Sequence, residues 1–194
     1  MDLLNELLIL SEASKEKNLL GLTIDGKLIT DKTKDELWPG HFSCRDNQLT
    51  SLEGAPASVG GYFFCSYNKL TSLKGAPASV GGDFGCHTNQ LTSLEGAPAS
   101  VGGYFNCGNN QLTSLEGIHK ILKSMNGTFF AYNNPLKSHV LGLLLVKGCK
   151  DVVLDNKVIE EVLNRYLPNT RGSKAVIEAQ SELLDLDLEE FAQL

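Results

Sequence analysis

Cysteine, the side chain best suited to metal binding and disulfide formation, recurs in this chain at a fixed interval of 21 residues. The four positions are Cys44, Cys65, Cys86 and Cys107. If each cysteine lies on its own strand of a sheet, neighbouring strands are about 4.8 Å apart. A tetrahedral zinc ion needs all of its sulfur ligands at about 2.3 Å. One cysteine per strand cannot surround one ion, so the spacing predicts that these thiols do not form a metal site.

Disulfide bonds between successive cysteines are also disfavoured. Parallel strands in register hold Cβ atoms near the strand spacing, slightly beyond the separation of about 3.5–4.5 Å in a disulfide. Cys149 makes the number of cysteines odd. We also expect a cytoplasmic location, because residues 1–18 lack a positively charged leader, and cytoplasmic thiols stay reduced. The cysteines are therefore predicted to be small, buried, apolar side chains.

The residues around each cysteine repeat with it. One unit reads FxCxxNxLTSLEGAPASVGGx. A repeat length of 21 residues indicates a solenoid, whose units bury apolar side chains by stacking on one another. The predicted fold is an α/β solenoid with a parallel sheet, comprising about five units in residues 41–136. Alternation along each strand turns Phe and Cys towards the core. The asparagine amide is expected to bond the backbone of its own coil and the next. The predicted structural ladder consists of Cys44, Cys65, Cys86, Cys107, Asn47, Asn68, Asn89 and Asn110.

Residues 1–40 are predicted to form an N-terminal cap, because a solenoid must cover its first apolar edge. Leucines on one broad face favour an amphipathic helix over 2–13. Asp25-Gly26 between two short apolar runs predicts a hairpin. A helical turn is expected over 32–37.

Residues 137–194 are predicted to form a C-terminal helical cap. The fifth unit is three residues longer than the others, as expected where a solenoid closes. Beyond it, the pattern is helical, with a short strand at 152–154. Asp155 and Ser173 are the predicted caps of two further helices.

The distribution of charge argues against nucleic-acid binding. The chain has a net charge of −6 at pH 7. Residues 119–174 are basic and 175–194 are acidic, which favours two helices that pair with each other. The longest apolar run, around 140–146, is too short to span a bilayer. We therefore expect neither nucleic acid nor membrane as a partner.

The repeat unit resembles leucine-rich repeats. Its FxCxxNxL core fills the LxLxxNxL positions of that family, and LTSLEGAP is similar to the short bacterial class found in secreted effectors. The GAPASVGG blocks and the C-terminal segment also resemble repeat proteins of large tailed phages. The resemblance implies a curved parallel sheet on a concave face and recognition of a protein. If the chain is phage-encoded, its location is the host cytoplasm and its partner is a host protein, such as a defence component.

The side of the sheet opposite Phe and Cys is the expected partner-binding surface. Tyr and Arg are typical interface anchors, and exposed aromatic side chains exceed what solubility favours. Two alternatives remain: a terminal segment covers this side, or the rings only stack on one another across strands. The predicted binding residues are Arg45, Tyr62, Phe64, Asp83, His87, Tyr104, Asn106, Phe130 and Tyr132.

No constellation of residues predicts catalysis. The glycine pairs lack the Lys-Ser/Thr of a phosphate loop, and no nucleophile, base and acid set is evident. Cys149 and Asp151 resemble the Cys-x-Asp motif of effector ubiquitin ligases, but too few residues follow them for the ligase domain. We expect a non-enzymatic protein-binding module without a cofactor. The alternatives are a self-associating structural protein and a binder of a small ligand, such as a nucleotide.

Overall fold

The computed structural model describes residues 22–24, 27–29, 37–167 and 172–194. The repeats form a parallel-sheet β-solenoid of about six turns, which confirms the predicted solenoid. We call the turns coils 1 to 6. Before them, β1 (Leu22–Ile24) pairs antiparallel with β2 (Lys27–Ile29), as predicted for a hairpin. Its turn residues and the helix predicted over 2–13 lie outside the described residues.

Each of coils 1 to 4 contributes two short strands to two parallel ladders. The first ladder contains β3 (Leu37–Trp38), β5 (Ser58–Val59), β7 (Ser79–Val80) and β9 (Ser100–Val101). The second ladder contains β4 (Phe42–Ser43), β6 (Phe63–Phe64), β8 (Phe84–Gly85) and β10 (Phe105–Asn106). Successive strands pair in register, one repeat apart.

The two ladders merge in coil 5. There, β11 (Ser124–Phe130) pairs with β9 through its first residues and with β10 through its last. Coil 6 adds β12 (Lys147–Val153), which pairs with β11. The sheet therefore extends beyond residue 136, where the repeat pattern in the sequence ends.

A bend at each glycine pair separates the two ladders. A Cβ atom on Gly81 would lie 2.1 Å from the carbonyl oxygen of Gly60, and one on Gly102 would lie 1.9 Å from that of Gly81. The Gly81 N–H also donates across coils to the Val59 carbonyl oxygen at 2.8 Å. Neither Gly81 nor Gly102 has a positive φ. Glycine is therefore required for the close approach of successive backbones, and not for a left-handed turn.

The first coil begins earlier than the sequence pattern suggests. Leu37 lies in β3, so the helical turn predicted over 32–37 is wrong at this residue, and 32–36 lie outside the described residues. Trp38 pairs with Val59 and is buried, with its ring edge-on to Phe42 at 5.2 Å. Pairing with coil 2 thus determines the local conformation, because it satisfies the backbone and buries the indole.

The core is a column of stacked side chains along the solenoid axis. Five phenylalanine rings follow one another with centroids 4.9–5.8 Å apart, and all are fully buried. The four repeated cysteines and the leucines of the LTSL segments are buried beside them. The rings in this column are Phe42, Phe63, Phe84, Phe105 and Phe129.

The repeated asparagines join neighbouring coils. Asn68 donates to the carbonyl oxygens of Cys65, in its own coil, and Cys44, in the preceding coil, both at 2.9 Å. Its Oδ1 accepts the N–H of Leu49, also in the preceding coil. Asn89, Asn110 and Asn134 repeat this pattern. The expectation that the amide reaches the next coil is wrong in direction, because each side chain points back towards the coil before it.

One short helix precedes β11, and three more helical segments follow it. They are α1 (Ile118–Ile121), a 3-10 helix (Leu141–Leu145), α2 (Lys157–Tyr166) and α3 (Ser173–Asp185). Both predicted caps are wrong. Asn156 caps α2 by accepting from the N–H groups of Val158 and Ile159, while Gly172 precedes α3 without a side-chain cap. Asp155 instead accepts the backbone N–H groups of Asn133 and Asn134, and so ends the asparagine ladder.

Helix α2 covers the outer edge of β12. The Asn164 amide both accepts the Val152 N–H at 2.8 Å and donates to the Val152 carbonyl oxygen at 2.9 Å. Glu160 accepts the Leu154 N–H. Side chains thus satisfy the polar groups of an edge strand, which would otherwise be a template for pairing with another chain. Arg165 of α2 forms an ion pair with Glu182 of α3, in agreement with the predicted helix pairing.

Candidate functional site

The outward side of the second ladder carries three columns of side chains. We call this surface the aromatic face. Every residue predicted to bind a partner lies on it. Its columns are His41, Tyr62, Asp83, Tyr104 and Thr128; Ser43, Phe64, Gly85, Asn106 and Phe130; and Arg45, Ser66, His87, Gly108 and Tyr132. Arg45 and His41 are exposed and most of the others are half-buried.

Aromatic rings from coils 1, 2, 4 and 5 form a row of successive contacts along the face. His41 stacks on Tyr62 at 3.9 Å, and Tyr62 stacks on Phe64 at 4.4 Å between centroids. Phe64 lies 6.5 Å from Tyr104, which meets Phe130 edge-on at 5.9 Å. Phe130 in turn meets Tyr132 at 6.5 Å. Cross-strand stacking, one of the two alternatives to a binding surface, therefore does occur, and it leaves the rings half-buried.

Two glycines leave room for rings of neighbouring coils to lie against the sheet. A Cβ atom on Gly85 would lie 2.9 Å from Cδ1 of Phe64. A Cβ atom on Gly108 would lie 2.6 Å from Cζ of Tyr132. Each ring thus covers the glycine of the adjacent coil, which fixes its position. At these two variable positions of the repeat, glycine therefore provides the space that the neighbouring ring occupies.

One end of the aromatic face carries a cationic cluster. The guanidinium carbon of Arg45 lies 5.3 Å from the ring centroid of Tyr67 and 6.0 Å from that of Phe64. His87 meets Tyr67 edge-on at 5.0 Å. The pKa of His87 is lowered by burial and by the charge of Arg45, so the imidazole is neutral at pH 7. The cluster therefore carries one positive charge, on Arg45.

Sequence reasoning missed Tyr67. It follows the predicted strand and has a left-handed conformation, with φ of 58°, so strand alternation does not extend to it. The same left-handed position recurs at Asp46, Thr88, Asn109 and Asn133. Because this position turns the side chain back beside the strand, the residue before each repeated Asn is also a candidate for the binding surface. Tyr67 is 48% exposed.

Two predicted binding residues are engaged in local hydrogen bonds. Asp83 accepts the backbone N–H of Tyr104 at 3.0 Å, and Asn106 accepts that of Gly108 at 3.0 Å. Burial and the nearby carboxylate of Asp83 raise the pKa of Tyr104. Both polar side chains therefore support the backbone of the face, which reduces what they can offer a partner.

The cysteines lie inside the solenoid and not on the face. All four repeated cysteines are fully buried, and none of these described residues forms a disulfide. Burial raises the pKa of the Cys44 thiol to about 12. Cys149 is also buried, with its Sγ 3.7 Å from the Asp151 carbonyl oxygen. Within the described parts of the chain, no three His, Cys, Asp or Glu side chains cluster closely enough to hold a metal ion.

A cavity lies between the turns that follow the second-ladder strands of coils 3 and 4, apart from the aromatic face. Its volume is about 500 Å³, and none of its lining residues belongs to that face. It lies between the segments 92–95 and 114–121. His119 lines it, and its Nδ1 is buried without a hydrogen-bond partner. Burial and the charges of Lys120 and Lys123 lower the pKa of His119.

Among the helices of the described residues, none combines the length and apolar character needed to cross a membrane.

Comparisons with family models, with curated proteins and with solved structures find no match to this chain. The geometry and chemistry of the aromatic face are therefore the basis for a function.

Proposed function

We propose that this chain is a non-enzymatic binding module that holds a protein partner on its aromatic face. The observation that carries the proposal is the row of ring contacts from the exposed His41 through half-buried rings to Tyr132, bordered by the exposed Arg45 and Tyr67. Rings already fixed by their neighbours lose little conformational entropy when a partner binds. Tyr and Arg are also the residues that most often dominate binding energy at protein interfaces.

The orientation of the rings favours a protein segment over a planar ligand. His41, Tyr62 and Phe64 stack face to face, so the ring faces within this stack are closed to a base or a sugar. Their edges and the tyrosine hydroxyl groups are what remains for a partner. A peptide can use such a surface through apolar side chains and backbone hydrogen bonds. The nucleotide alternative would require those stacks to open.

The size of the face also favours a segment. Five coils about 4.8 Å apart, each presenting an extended segment of about five residues or about 17 Å, give an area of roughly 400 Å². A standard protein interface buries about 800 Å² on each partner. The face therefore suits a loop, a helix or an extended peptide of a larger protein.

The repeat motif supports a more specific form of the proposal. The asparagine of the FxCxxNxL core bonds to the backbone of two coils, and the leucine-rich-repeat motif has an asparagine at the same position. We infer from the repeat motif that the chain is a leucine-rich-repeat protein of a tailed phage. Its partner is then a host protein, such as a defence component, in the host cytoplasm. The unbridged thiols of the repeats suit that reducing compartment.

Affinity capture with two matched variants tests the proposal. The first variant, Tyr62→Ala, Tyr104→Ala, Phe130→Ala, removes rings from the aromatic face. The second, Gln48→Ala, Gln90→Ala, Gln111→Ala, changes exposed residues of coils 1, 3 and 4 away from the aromatic face. Both are first shown to be folded by circular dichroism and thermal melting.

We expect one protein from a susceptible host to be retained by the wild type and the glutamine variant, and lost by the aromatic variant. Equal capture by all three proteins would exclude the aromatic face as the binding surface. Light scattering on the purified chain tests self-association, and a dimer abolished only by the aromatic substitutions would favour that alternative.

A further inference from the structure

We propose that Arg45 is the anion-recognising anchor of the aromatic face, and that the partner is an acidic peptide segment whose carboxylate pairs with the guanidinium. The inference rests on the proposed function, because it names the chemistry of the partner for the same face.

Arg45 is held in a position suited to such a contact. Its guanidinium carbon lies 5.3 Å from the Tyr67 ring centroid and 6.0 Å from that of Phe64. Contact with ring faces leaves the edge of the guanidinium, with its N–H donors, available to an acceptor. Arg45 is exposed to solvent. The side chain is therefore ordered by the rings while its hydrogen-bonding edge stays accessible.

No carboxylate among the described residues neutralises Arg45. The ion pairs of the described part of the chain involve other residues. Asp46 follows in sequence, but no ion pair joins its carboxylate to Arg45. Asp83 is the acid in the columns of the face, and its carboxylate accepts the backbone N–H of Tyr104. The positive charge is thus available to a partner.

The groups around Arg45 suit a carboxylate next to apolar side chains. Tyr67 and Phe64 are the apolar neighbours, and His87 is neutral at pH 7 beside them. Arginine binds carboxylates in a planar, bidentate geometry that is stronger than a hydrogen bond between neutral groups. A segment with an Asp or Glu at Arg45 and apolar residues along the ring row would therefore match both features at once.

A nucleic-acid phosphate matches the rest of the molecule less well. A nucleic acid carries a negative charge at every nucleotide, so the net charge of −6 opposes it more than a peptide segment with a single carboxylate. Single-stranded nucleic acids also need open ring faces on which bases stack, whereas His41, Tyr62 and Phe64 stack on one another.

From Arg45 in coil 1 to Tyr132 in coil 5, the face spans about 19 Å, the length of about six extended residues.

A displayed library of random 12-residue peptides is the probe. It is selected on the wild type and counter-selected on the Tyr62→Ala, Tyr104→Ala, Phe130→Ala variant. Enriched peptides are then made with a fluorophore and titrated against wild type, Arg45→Gln and Arg45→Lys. Lys120→Gln is the matched control, because it removes one exposed positive charge away from the face. Melting temperatures establish that every variant is folded.

We expect enriched peptides to contain Asp or Glu beside apolar residues. Arg45→Gln should weaken binding at least about tenfold, the effect of a charge-assisted hydrogen bond. Arg45→Lys should restore part of it, and Lys120→Gln should change nothing. Replacing the peptide acid by its amide should weaken binding to the wild type but cause no further loss with Arg45→Gln.

Three results would overturn the inference. Enriched peptides that lack an acid, or that bind Arg45→Gln as tightly as the wild type, would refute the role of Arg45 while leaving the binding face in place. Failure to enrich any peptide that depends on the three rings would refute the inference and the proposed function together. Tighter, Arg45-dependent binding of a 12-nucleotide single-stranded DNA would assign the anchor to phosphate instead.

Discussion

At the scale of single residues, the asparagine ladder is the most demanding feature of the coils. Each amide of Asn68, Asn89, Asn110 and Asn134 bonds to backbone groups of two successive coils. Asn110 donates to the carbonyl oxygens of Cys107 and Cys86 and accepts the N–H of Leu91. The side chain is 8% exposed, so water cannot readily replace these bonds.

Asn110→Ala should therefore destabilise the protein by about 3 kcal/mol, because it leaves several buried polar groups unsatisfied. The matched control is Asn47→Ala at the first rung, whose amide donates to the Arg45 carbonyl oxygen at the surface. It should cost less than about 1 kcal/mol. Denaturant unfolding of both variants measures the difference. Equal losses would mean that the ladder does not join the coils as its geometry implies.

At the scale of elements, the spacing between coils is set where backbones touch. The first glycine of each pair lies against the carbonyl of the preceding coil, whereas the strands of the second ladder carry varied outward residues. Varied side chains can be accommodated on the aromatic face because the stacking distance is fixed elsewhere.

Gly81→Ala should destabilise the protein by about 2–3 kcal/mol, since its Cβ would lie 2.1 Å from the Gly60 carbonyl oxygen and neither backbone can move alone. Gly117→Asn is the control. Gly117 is left-handed, with φ of 66°, and a Cβ there would be 3.9 Å from its nearest neighbour. Asparagine tolerates that conformation, so the loss should stay below about 1 kcal/mol. A Gly81→Ala variant as stable as the control would contradict the close-contact role.

At the scale of the whole molecule, the solenoid has one core. The phenylalanine column runs without a break from coil 1 to coil 5, and helices α2 and α3 pack on the far end. In such arrays, each coil is stabilised by its neighbours, so the terminal coils are the places where opening would begin.

Thiol labelling reports on that opening. Burial raises the pKa of the Cys44, Cys65, Cys86 and Cys107 thiols, so thiolate is scarce at pH 8 in the folded chain. We expect a maleimide to leave all four unmodified under native conditions and to modify all four in guanidinium chloride. Peptide mapping by mass spectrometry resolves the positions. Rapid labelling of one cysteine in the native protein would show that its coil opens independently.

The sequence by itself determined the solenoid, its period and the two sides of its strands. A side chain repeated every 21 residues, such as Phe63 or Cys65, indicates a core position that has the same surroundings in each coil. The side that varies, including Tyr62 and Tyr104, is then the side that the stack does not constrain.

Only the tertiary structure decided where the array begins and ends and how its surface is arranged. Trp38 and β12 belong to the sheet because neighbouring coils offer them backbone partners, although neither matches the repeat in sequence. Tyr67 reaches Arg45 through a left-handed turn, and Phe64 covers Gly85 of the next coil. Such contacts join residues about one repeat apart, and their energies depend on distances in space that a linear pattern does not contain.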